Sequence, residues 1–207
     1  MRVIGGMARG RPLKAPPGMN TRPVTDRIKE SLFNIIALGI EGATLLDLFA
    51  GSGSVGIEAL SRKAKWVCFV DNNREAVKTI KANLDRCGFS GDYQVLRNDV
   101  FKAVEALRRR GLRFDYIYVD PPFTQEKIFD LIMDALDKAE LLNEKGIVII
   151  RAPRKKSLPE SLDGLERYRL NHYGESSLHY YRLDKEEQGH DGDIQDTGRN
   201  GTNGKEQ

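Results

Sequence analysis

The chain has 207 residues, of which 40% are apolar and 30% charged, with a formal net charge of +3. These values fit one globular domain that is large enough to bury a core. No apolar run approaches the roughly 20 residues needed to cross a bilayer, and the N-terminus lacks an apolar stretch of the signal-peptide kind. The two cysteines, Cys68 and Cys87, form neither a disulfide framework nor a metal-ligand pattern. We therefore expect a cytoplasmic protein without membrane spans or a bound metal.

Residues 1–36 carry a concentrated positive charge. Seven cationic side chains stand against two acidic ones, which gives a net charge of +5. Up to residue 24 the segment is rich in glycine, proline and arginine and has no hydrophobic period, which predicts a loop or arm. Such an arm suits a polyanion such as RNA, although basic N-termini are also often only solvated tails. The candidate RNA-binding residues are Arg2, Arg9, Arg11, Lys14, Arg22 and Arg27.

Helices and strands alternate after this segment. Thr25 or Asp26 can cap a first helix, because apolar residues recur at helical spacing from position 28 to position 36. The predicted strands that follow cover residues 44–49, 66–70, 93–96, 114–119 and 147–150. The predicted helices between them run to about residue 62, from about 74 to 86, to about 110, and from about 125 to 139.

The C-terminal part has a different pattern. Two more strands, over 165–170 and 178–183, are joined through Tyr173-Gly174 and predict an antiparallel hairpin. Together with the alternation before it, this predicts an α/β, Rossmann-like fold: a mostly parallel sheet with helices on both faces and an antiparallel C-terminal hairpin. Residues 185–207 are polar and acidic, with Ile194 as the only aliphatic core-forming side chain. We expect this tail to be disordered, because it buries too little apolar surface to offset chain entropy.

A glycine-rich loop follows the strand over 44–49. Gly51 to Gly56 form a G-x-G-x-x-G pattern that opens a helix, where glycines allow a sharp turn and a close approach to a ligand. Asp71 ends the next strand, 20 residues after Gly51, where a carboxylate can accept hydrogen bonds from ribose hydroxyls. The alternative is a structural glycine turn with a solvated Asp71. The candidate cofactor-binding residues are Asp47, Phe49, Ala50, Gly51, Ser52, Gly53, Asp71, Asn72, Asn98, Asp99 and Val100.

This pattern alone does not separate a nicotinamide dinucleotide from S-adenosylmethionine. Asp47 lies inside the strand, four residues before Gly51, where it could meet a ligand's cationic group and would repel a pyrophosphate. Asn98-Asp99 could meet an adenine amine at the end of the next strand. The chain also lacks the separate substrate domain usual in dehydrogenases, so the methyl donor is favoured.

The most informative stretch is Asp120-Pro121-Pro122-Phe123, which follows the apolar strand over 114–119. The prolines fix the turn, while the Asp120 carboxylate and the Pro121 carbonyl could accept hydrogen bonds from the hydrogens of a planar amine. Phe123 could stack on a nucleobase, which must be flipped out or unpaired to reach such a pocket. These four residues are the candidate catalytic residues. The alternative is a rigid strand exit with Phe123 in the core.

Other side chains of possible catalytic type lack a pattern. His172, His179 and His190 have no partners at the spacing of a triad or a metal site, so we expect structural or surface roles. Tyr173, Tyr180 and Tyr181 could stack on RNA, but aromatic residues in such a hairpin are more often part of the core.

Together these residues resemble a known family, the RsmD methyltransferases. The resemblance covers about residues 1–184, and it is carried by Arg2–Gly6, Arg9–Arg11, Thr21–Asn34, Leu46–Gly53, Asp120–Phe123 and Tyr173–Leu178. The Asp-Pro-Pro-Phe motif occurs in many amino-methyltransferases, whereas Thr-Arg-Pro-x-Thr-Asp-Arg is far more specific. The resemblance implies a bacterial 16S ribosomal RNA guanine-N2 methyltransferase of class I, which uses S-adenosylmethionine and has a seven-stranded sheet. Residues 37–184 would then form the methyltransferase domain, after an RNA-binding arm and helix over 1–36.

Other functions remain compatible with these motifs. The acceptor could be adenine N6 or a protein glutamine amide, although those sites more often carry Asn before Pro-Pro, where this chain has Asp120. A non-catalytic RNA-binding assembly factor and a nucleotide-dependent oxidoreductase are the remaining alternatives. The expected partner is 16S rRNA or the assembled small ribosomal subunit, and we expect a monomer.

Overall fold

The computed structural model describes residues 1–18 and 25–184. The helices in this part are α1 (Asp26–Ile35), α2 (Ser54–Ser61), α3 (Arg74–Cys87), α4 (Val100–Arg109) and α5 (Lys127–Asp137). The strands are β1 (Thr44–Leu48), β2 (Trp66–Asp71), β3 (Tyr93–Arg97), β4 (Phe114–Val119), β5 (Leu142–Pro153), β6 (Leu165–Tyr173) and β7 (Ser176–Leu183). The predicted disordered tail over 185–207, Arg22 and His190 lie outside the described residues.

The seven strands form one sheet in the order β3-β2-β1-β4-β5-β7-β6. Strands β1 to β5 pair in parallel, and β7 pairs antiparallel with both β5 and β6. The predicted fold class is therefore confirmed, including the C-terminal hairpin. The strand order reverses direction between β1 and β4, and in open α/β sheets ligands bind beyond the strand ends at such a point.

Each face of the sheet packs against helices. Alternation along β2 shows this division, because Val67 and Phe69 join the core under α1, α2 and α3, whereas Cys68 and Val70 join the core under α4 and α5. Of the three hairpin tyrosines that the sequence assigned to the core, Tyr180 and Tyr181 are fully buried, one in each cluster, whereas Tyr173 is only partly buried. Among the described helices, none has both the length and the apolar character needed to cross a membrane.

Strand β5 is longer than the predicted 147–150. It begins at Leu142, opposite Phe114, and its register shifts before Ile147 pairs with Tyr116. The intervening residues 143–146 are polar or glycine, so the sequence showed no strand pattern there. The structure nevertheless continues the strand through them, with the shift in register. Helix α5 begins at Lys127 rather than at residue 125, because the turn after the two prolines continues to that point.

The N-terminal segment over 1–18 packs on the sheet domain rather than projecting from it. Val3, Ala8 and Leu13 are buried, and residues 2 and 12 form an isolated antiparallel bridge. Gly6 has φ +75°, and a Cβ there would lie 1.8 Å from the carbonyl oxygen of Ser61, so only glycine fits this contact with α2.

A buried ion pair holds the same segment in place. The Glu58 carboxylate of α2 accepts hydrogen bonds from the backbone N–H groups of Ile4 and Gly5, each at 2.7 Å. It also pairs with Lys29 of α1 at 3.1 Å, and both side chains are fully buried. Lys29, which contributes to the +5 charge of residues 1–36, is therefore unavailable to an external polyanion. The division at residue 36 stays a prediction.

Candidate active site

A cavity of about 700 Å³ lies at the carboxyl ends of β1, β2 and β4, where the strand order reverses. Both groups of candidates from the sequence meet in it. All four candidate catalytic residues line it, as do nine of the eleven candidate cofactor-binding residues: Asp47, Phe49, Ala50, Gly51, Ser52, Asp71, Asn72, Asp99 and Val100.

The other two candidates, Gly53 and Asn98, do not line the cavity. Gly53 caps α2 with φ +74°, and a Cβ on it would lie 3.2 Å from Ile80, so its role is to turn the loop and pack on α3. The backbone N–H of Asn98 donates to the carbonyl of Asp71, which joins the ends of β2 and β3. Asn98 thus supports the site from outside, and Asp99, its neighbour, faces the cavity and caps α4.

Asp71 holds the glycine loop in addition to facing the cavity. One carboxylate oxygen accepts from the N–H of Gly51 and the other from the N–H of Asn73, each at 2.8 Å. A carboxylate oxygen has two lone pairs, so both oxygens can still accept a hydrogen bond from a ligand hydroxyl. Asp71 and the glycine loop, which are 20 residues apart in sequence, are therefore in direct contact. The sequence did not predict this contact.

The loop after β1 is bent sharply at its first residue. Phe49 has φ 59° and Gly51 has φ 56°, both in the left-handed region. For a phenylalanine this backbone is strained, and such strain is found mainly at ligand-binding sites. The bend brings the loop backbone to the edge of the cavity.

Asp47 is only 2% exposed and sits in the wall of the cavity. One of its oxygens accepts from the backbone N–H of Gly56 at 3.0 Å. Burial raises the pKa of Asp47 well above its usual range, and the charges of Asp120 and Asp71 add to this rise. A cationic ligand group beside Asp47 would lower this pKa and favour the ionised carboxylate.

Asp120 follows β4 and forms a buried ion pair. Its backbone N–H donates to the carbonyl of Leu48, which ties the end of β4 to the end of β1. Its carboxylate oxygens lie 3.0 and 3.2 Å from Nη1 of Arg151. Burial raises the pKa of Asp120, and the Arg151 cation opposes that rise. The Phe123 ring lies under the same guanidinium, 5.0 Å from ring centroid to Cζ, and near Phe129.

Several residues of the cavity were missed by the sequence analysis. Arg151 is the main one: Ile150 pairs with Val119 in the parallel sheet, so Arg151 and Asp120 are the next neighbours along the two strands. A charge directly after the apolar run over 147–150 was the available signal. Glu175 and Ser176, in the hairpin, also line the cavity. Their position depends on β7 pairing with β5, and the sequence pattern of the hairpin alone does not predict that pairing.

The N-terminal segment also reaches the cavity. Met1, Ala15 and Pro16 line it. The fully buried Asn83 of α3 connects this segment to the glycine loop: its side-chain amide donates to the carbonyls of Lys14 and Ser52 and accepts from the N–H of Lys14, all at 2.9 Å.

None of the described candidate RNA-binding residues lines the cavity. Arg2 pairs with Asp26 at 3.1 Å on the surface, and Arg11 donates to the carbonyl of Arg86 at the end of α3. The other described candidates, Arg9, Lys14 and Arg27, are exposed. These cations therefore lie on the protein surface outside the cavity. His172 and His179 also lie outside the cavity, and burial lowers the pKa of His179 to about 4.

Known proteins are similar to this chain in sequence. A family model described as "Conserved hypothetical protein 95" matches residues 1–182. "Putative rRNA methyltransferase YlbH" of Bacillus subtilis is 40% identical over 182 residues, which are 88% of this chain and 98% of that protein. "Ribosomal RNA small subunit methyltransferase D" of Escherichia coli is 33% identical over 159 residues, which are 77% of this chain and 78% of that protein.

Solved structures agree with these matches. The "Putative methyltransferase yhhF" of Escherichia coli is similar with a TM-score of 0.78 at 29% identity, over 89% of this chain and 98% of that one. A more distant methyltransferase structure, described as complexed with SAH, has a TM-score of 0.63 at 18% identity and covers 76% of this chain and 48% of that one, which shows a shared fold. The chain thus has the class I methyltransferase fold, and it belongs to the RsmD family, whose model spans it from residue 1 to residue 182.

Proposed function

We propose that this protein transfers a methyl group from S-adenosylmethionine to the exocyclic N2 amine of a guanine in 16S ribosomal RNA. One observation carries the proposal: the glycine loop held by Asp71 and the Asp120 turn face the same cavity. A donor bound by the first and an amine bound by the second would therefore be adjacent, as an in-line displacement requires.

The charges in the cavity fit a cationic donor. Arg151 is the one cationic side chain among the described lining residues, whereas the acidic ones are Asp47, Asp71, Asp99, Asp120 and Glu175. A dinucleotide would place its pyrophosphate against these carboxylates, which is unfavourable at short range. S-adenosylmethionine carries a sulfonium and an ammonium group, so this set of residues favours it over a nicotinamide dinucleotide.

Individual residues would hold the donor in distinct ways. The Asp71 oxygens would accept hydrogen bonds from the ribose hydroxyls while they retain the Gly51 and Asn73 N–H groups. Asp47 would face the cationic part of the donor, and Asp99 with Val100 would border the adenine. When bound, the donor supplies the methyl group as a sulfonium substituent.

The chain's own residues would prepare the acceptor. The Asp120 carboxylate and the Pro121 carbonyl would accept hydrogen bonds from the two amine hydrogens, which aims the nitrogen lone pair at the methyl group. Phe123 would border the plane of the flipped base. Positioning of this kind is worth several orders of magnitude in rate, because a bimolecular encounter becomes an oriented contact.

The relatives and the surface charge support an RNA substrate. The Escherichia coli relative is named for small subunit ribosomal RNA. The exposed cations of the N-terminal segment would contact phosphates near the target, in 16S rRNA or the assembled small subunit. Residues 1–36 would form the RNA-binding part and residues 37–184 the catalytic part. The protein would act as a monomer.

The test is methyl transfer from labelled S-adenosylmethionine to small subunits and to naked 16S rRNA that lack the modification, with the methylated nucleoside identified by mass spectrometry. N2-methylguanosine is the expected product. N6-methyladenosine would overturn the acceptor assignment. Absence of product from both substrates, under conditions where calorimetry shows bound donor, would favour a non-catalytic assembly factor.

A further inference from the structure

Arg151, the ion-pair partner of Asp120, lies in the cavity but outside the Asp-Pro-Pro-Phe motif. Arg151 is only 4% exposed and makes three contacts at once. Its Nη1 lies against both Asp120 oxygens, its Nη2 donates to the Ser176 hydroxyl at 3.2 Å, and its guanidinium lies over the Phe123 ring. One side chain of β5 thus touches both motif side chains that would receive the base, and it is anchored to β7.

We propose that Arg151 is a positioning residue of the methyl transfer, which fixes the Asp120 carboxylate and the Phe123 ring in the orientation that receives the target amine. This inference rests on the proposed function, since it assigns a role within that reaction. Arg151 acts through Asp120 and Phe123.

The surroundings of Asp120 explain why a cation is needed there. Asp47 on β1 and Asp71 on β2 line the same cavity, Tyr118 lies on β4, and Glu175 lies in the hairpin turn. Arg151, on β5, opposes the rise in the pKa of Asp120 that burial causes. Without the guanidinium, the Asp120 carboxyl would take up a proton at higher pH and lose capacity as an acceptor.

The pair also defines what Asp120 does chemically. The Arg151 cation opposes the rise in the pKa of Asp120 that burial causes, which favours the ionised carboxylate as a hydrogen-bond acceptor for the amine. In the transfer, the amine lone pair forms the N–C bond while the C–S bond breaks and its electron pair stays on sulfur. The surplus proton on nitrogen then leaves to water.

An arginine fits this position better than a lysine does. The planar guanidinium offers separate N–H groups to Asp120 and Ser176 and a flat face to Phe123. A lysine would keep the charge next to Asp120 but could not make all three contacts. The charge effect and the geometric effect of Arg151 can therefore be separated by substitution.

The experiment compares Arg151→Met, Arg151→Lys and the control Arg154→Met, which removes an exposed arginine just after β5 that does not line the cavity. Single-turnover rates with saturating donor and RNA are measured from pH 5.5 to 9, and donor affinity by calorimetry. Arg151→Met should lose about 10- to 100-fold in rate at neutral pH, since small misplacements in a site cost that much. The acidic limb of the pH–rate profile of this variant should move to higher pH, because Asp120 loses the cation that lowers its pKa.

The other variants sharpen the outcome. Arg151→Lys should restore the acidic limb towards the wild-type pH but recover only part of the rate, and Arg154→Met should match the wild type. Donor affinity should change less than about threefold in all three. A wild-type rate and pH profile in Arg151→Met would overturn the proposal, as would equal losses at every pH in Arg151→Met and Arg151→Lys. Absence of transfer by the wild-type protein would instead refute the proposed function itself.

Discussion

At the scale of single residues, Asp71 shapes the candidate site whose wall it forms. Its two oxygens hold the N–H groups of Gly51 and Asn73, so the carboxylate connects the end of β2 to the glycine loop after β1. The remaining lone pairs leave both oxygens able to accept a hydrogen bond from the ribose of the proposed donor. Loss of the carboxylate should therefore affect the loop and the ligand together.

We predict that Asp71→Ala weakens the binding of S-adenosylmethionine by roughly 1–3 kcal/mol, the usual cost of an unmet buried polar group. Isothermal titration calorimetry measures this directly. Asp85→Ala, which removes an exposed carboxylate of α3, is the matched control and should leave affinity unchanged. Wild-type affinity in Asp71→Ala would show that ribose recognition lies elsewhere.

At the scale of elements, a buried carboxylate of α2 is one of the groups that hold the N-terminal segment. Glu58 receives two backbone N–H groups and two cations, Lys29 and Arg62. Burial lowers the pKa of Lys29, and the Glu58 charge opposes that change. Because the partners are desolvated, removal of one charge leaves the other buried without compensation.

Glu58→Gln should lower the free energy of unfolding by about 3–5 kcal/mol, the typical cost of breaking a buried ion pair on one side. Urea denaturation of this variant is compared with that of Glu41→Gln, which breaks the exposed pair with Lys63 and should cost at most about 1 kcal/mol. Equal small losses in both variants would show that Glu58 does not hold the N-terminal segment.

At the scale of the whole molecule, the basic surface and the cavity are separate. The cations of the N-terminal segment do not line the cavity, although Met1, Ala15 and Pro16 of the same segment do. RNA that places a base in the cavity would therefore also extend over the neighbouring surface. Phosphate contacts there should supply salt-dependent affinity without taking part in donor binding.

Removal of Arg9, Arg11 and Lys14 by substitution with glutamine should weaken RNA binding and reduce the slope of log affinity against log salt. The expected change is about 0.7–0.9 per lost phosphate contact. Filter binding over a range of salt concentrations gives the slope, and calorimetry should show unchanged donor affinity. An unaltered slope would identify these side chains as solvated surface only.

Much of this architecture was predictable because local sequence patterns determine it. Apolar periodicity gave the order of strands and helices, and the glycine loop and Asp-Pro-Pro-Phe each follow a strand, so their approach at one sheet edge follows from the parallel fold. The burial of charged side chains could not be predicted in the same way. Lys29 contributes to the positive charge that the sequence assigns to the surface, but its side chain is fully buried. Arg151 was missed because its contact with Asp120 depends on the pairing of β4 with β5, which spans some thirty residues.

Single-turnover methyl transfer with saturating donor measures whether the donor and the target amine meet at Asp120. Asp120→Ala should slow the chemical step by about 100- to 1,000-fold, as for loss of a positioned hydrogen-bonding group, while donor affinity stays nearly intact. Asp120→Asn, which keeps a carbonyl acceptor, should retain intermediate activity. Full activity in Asp120→Ala, with a folded protein of normal donor affinity, would show that Asp120 does not hold the target amine.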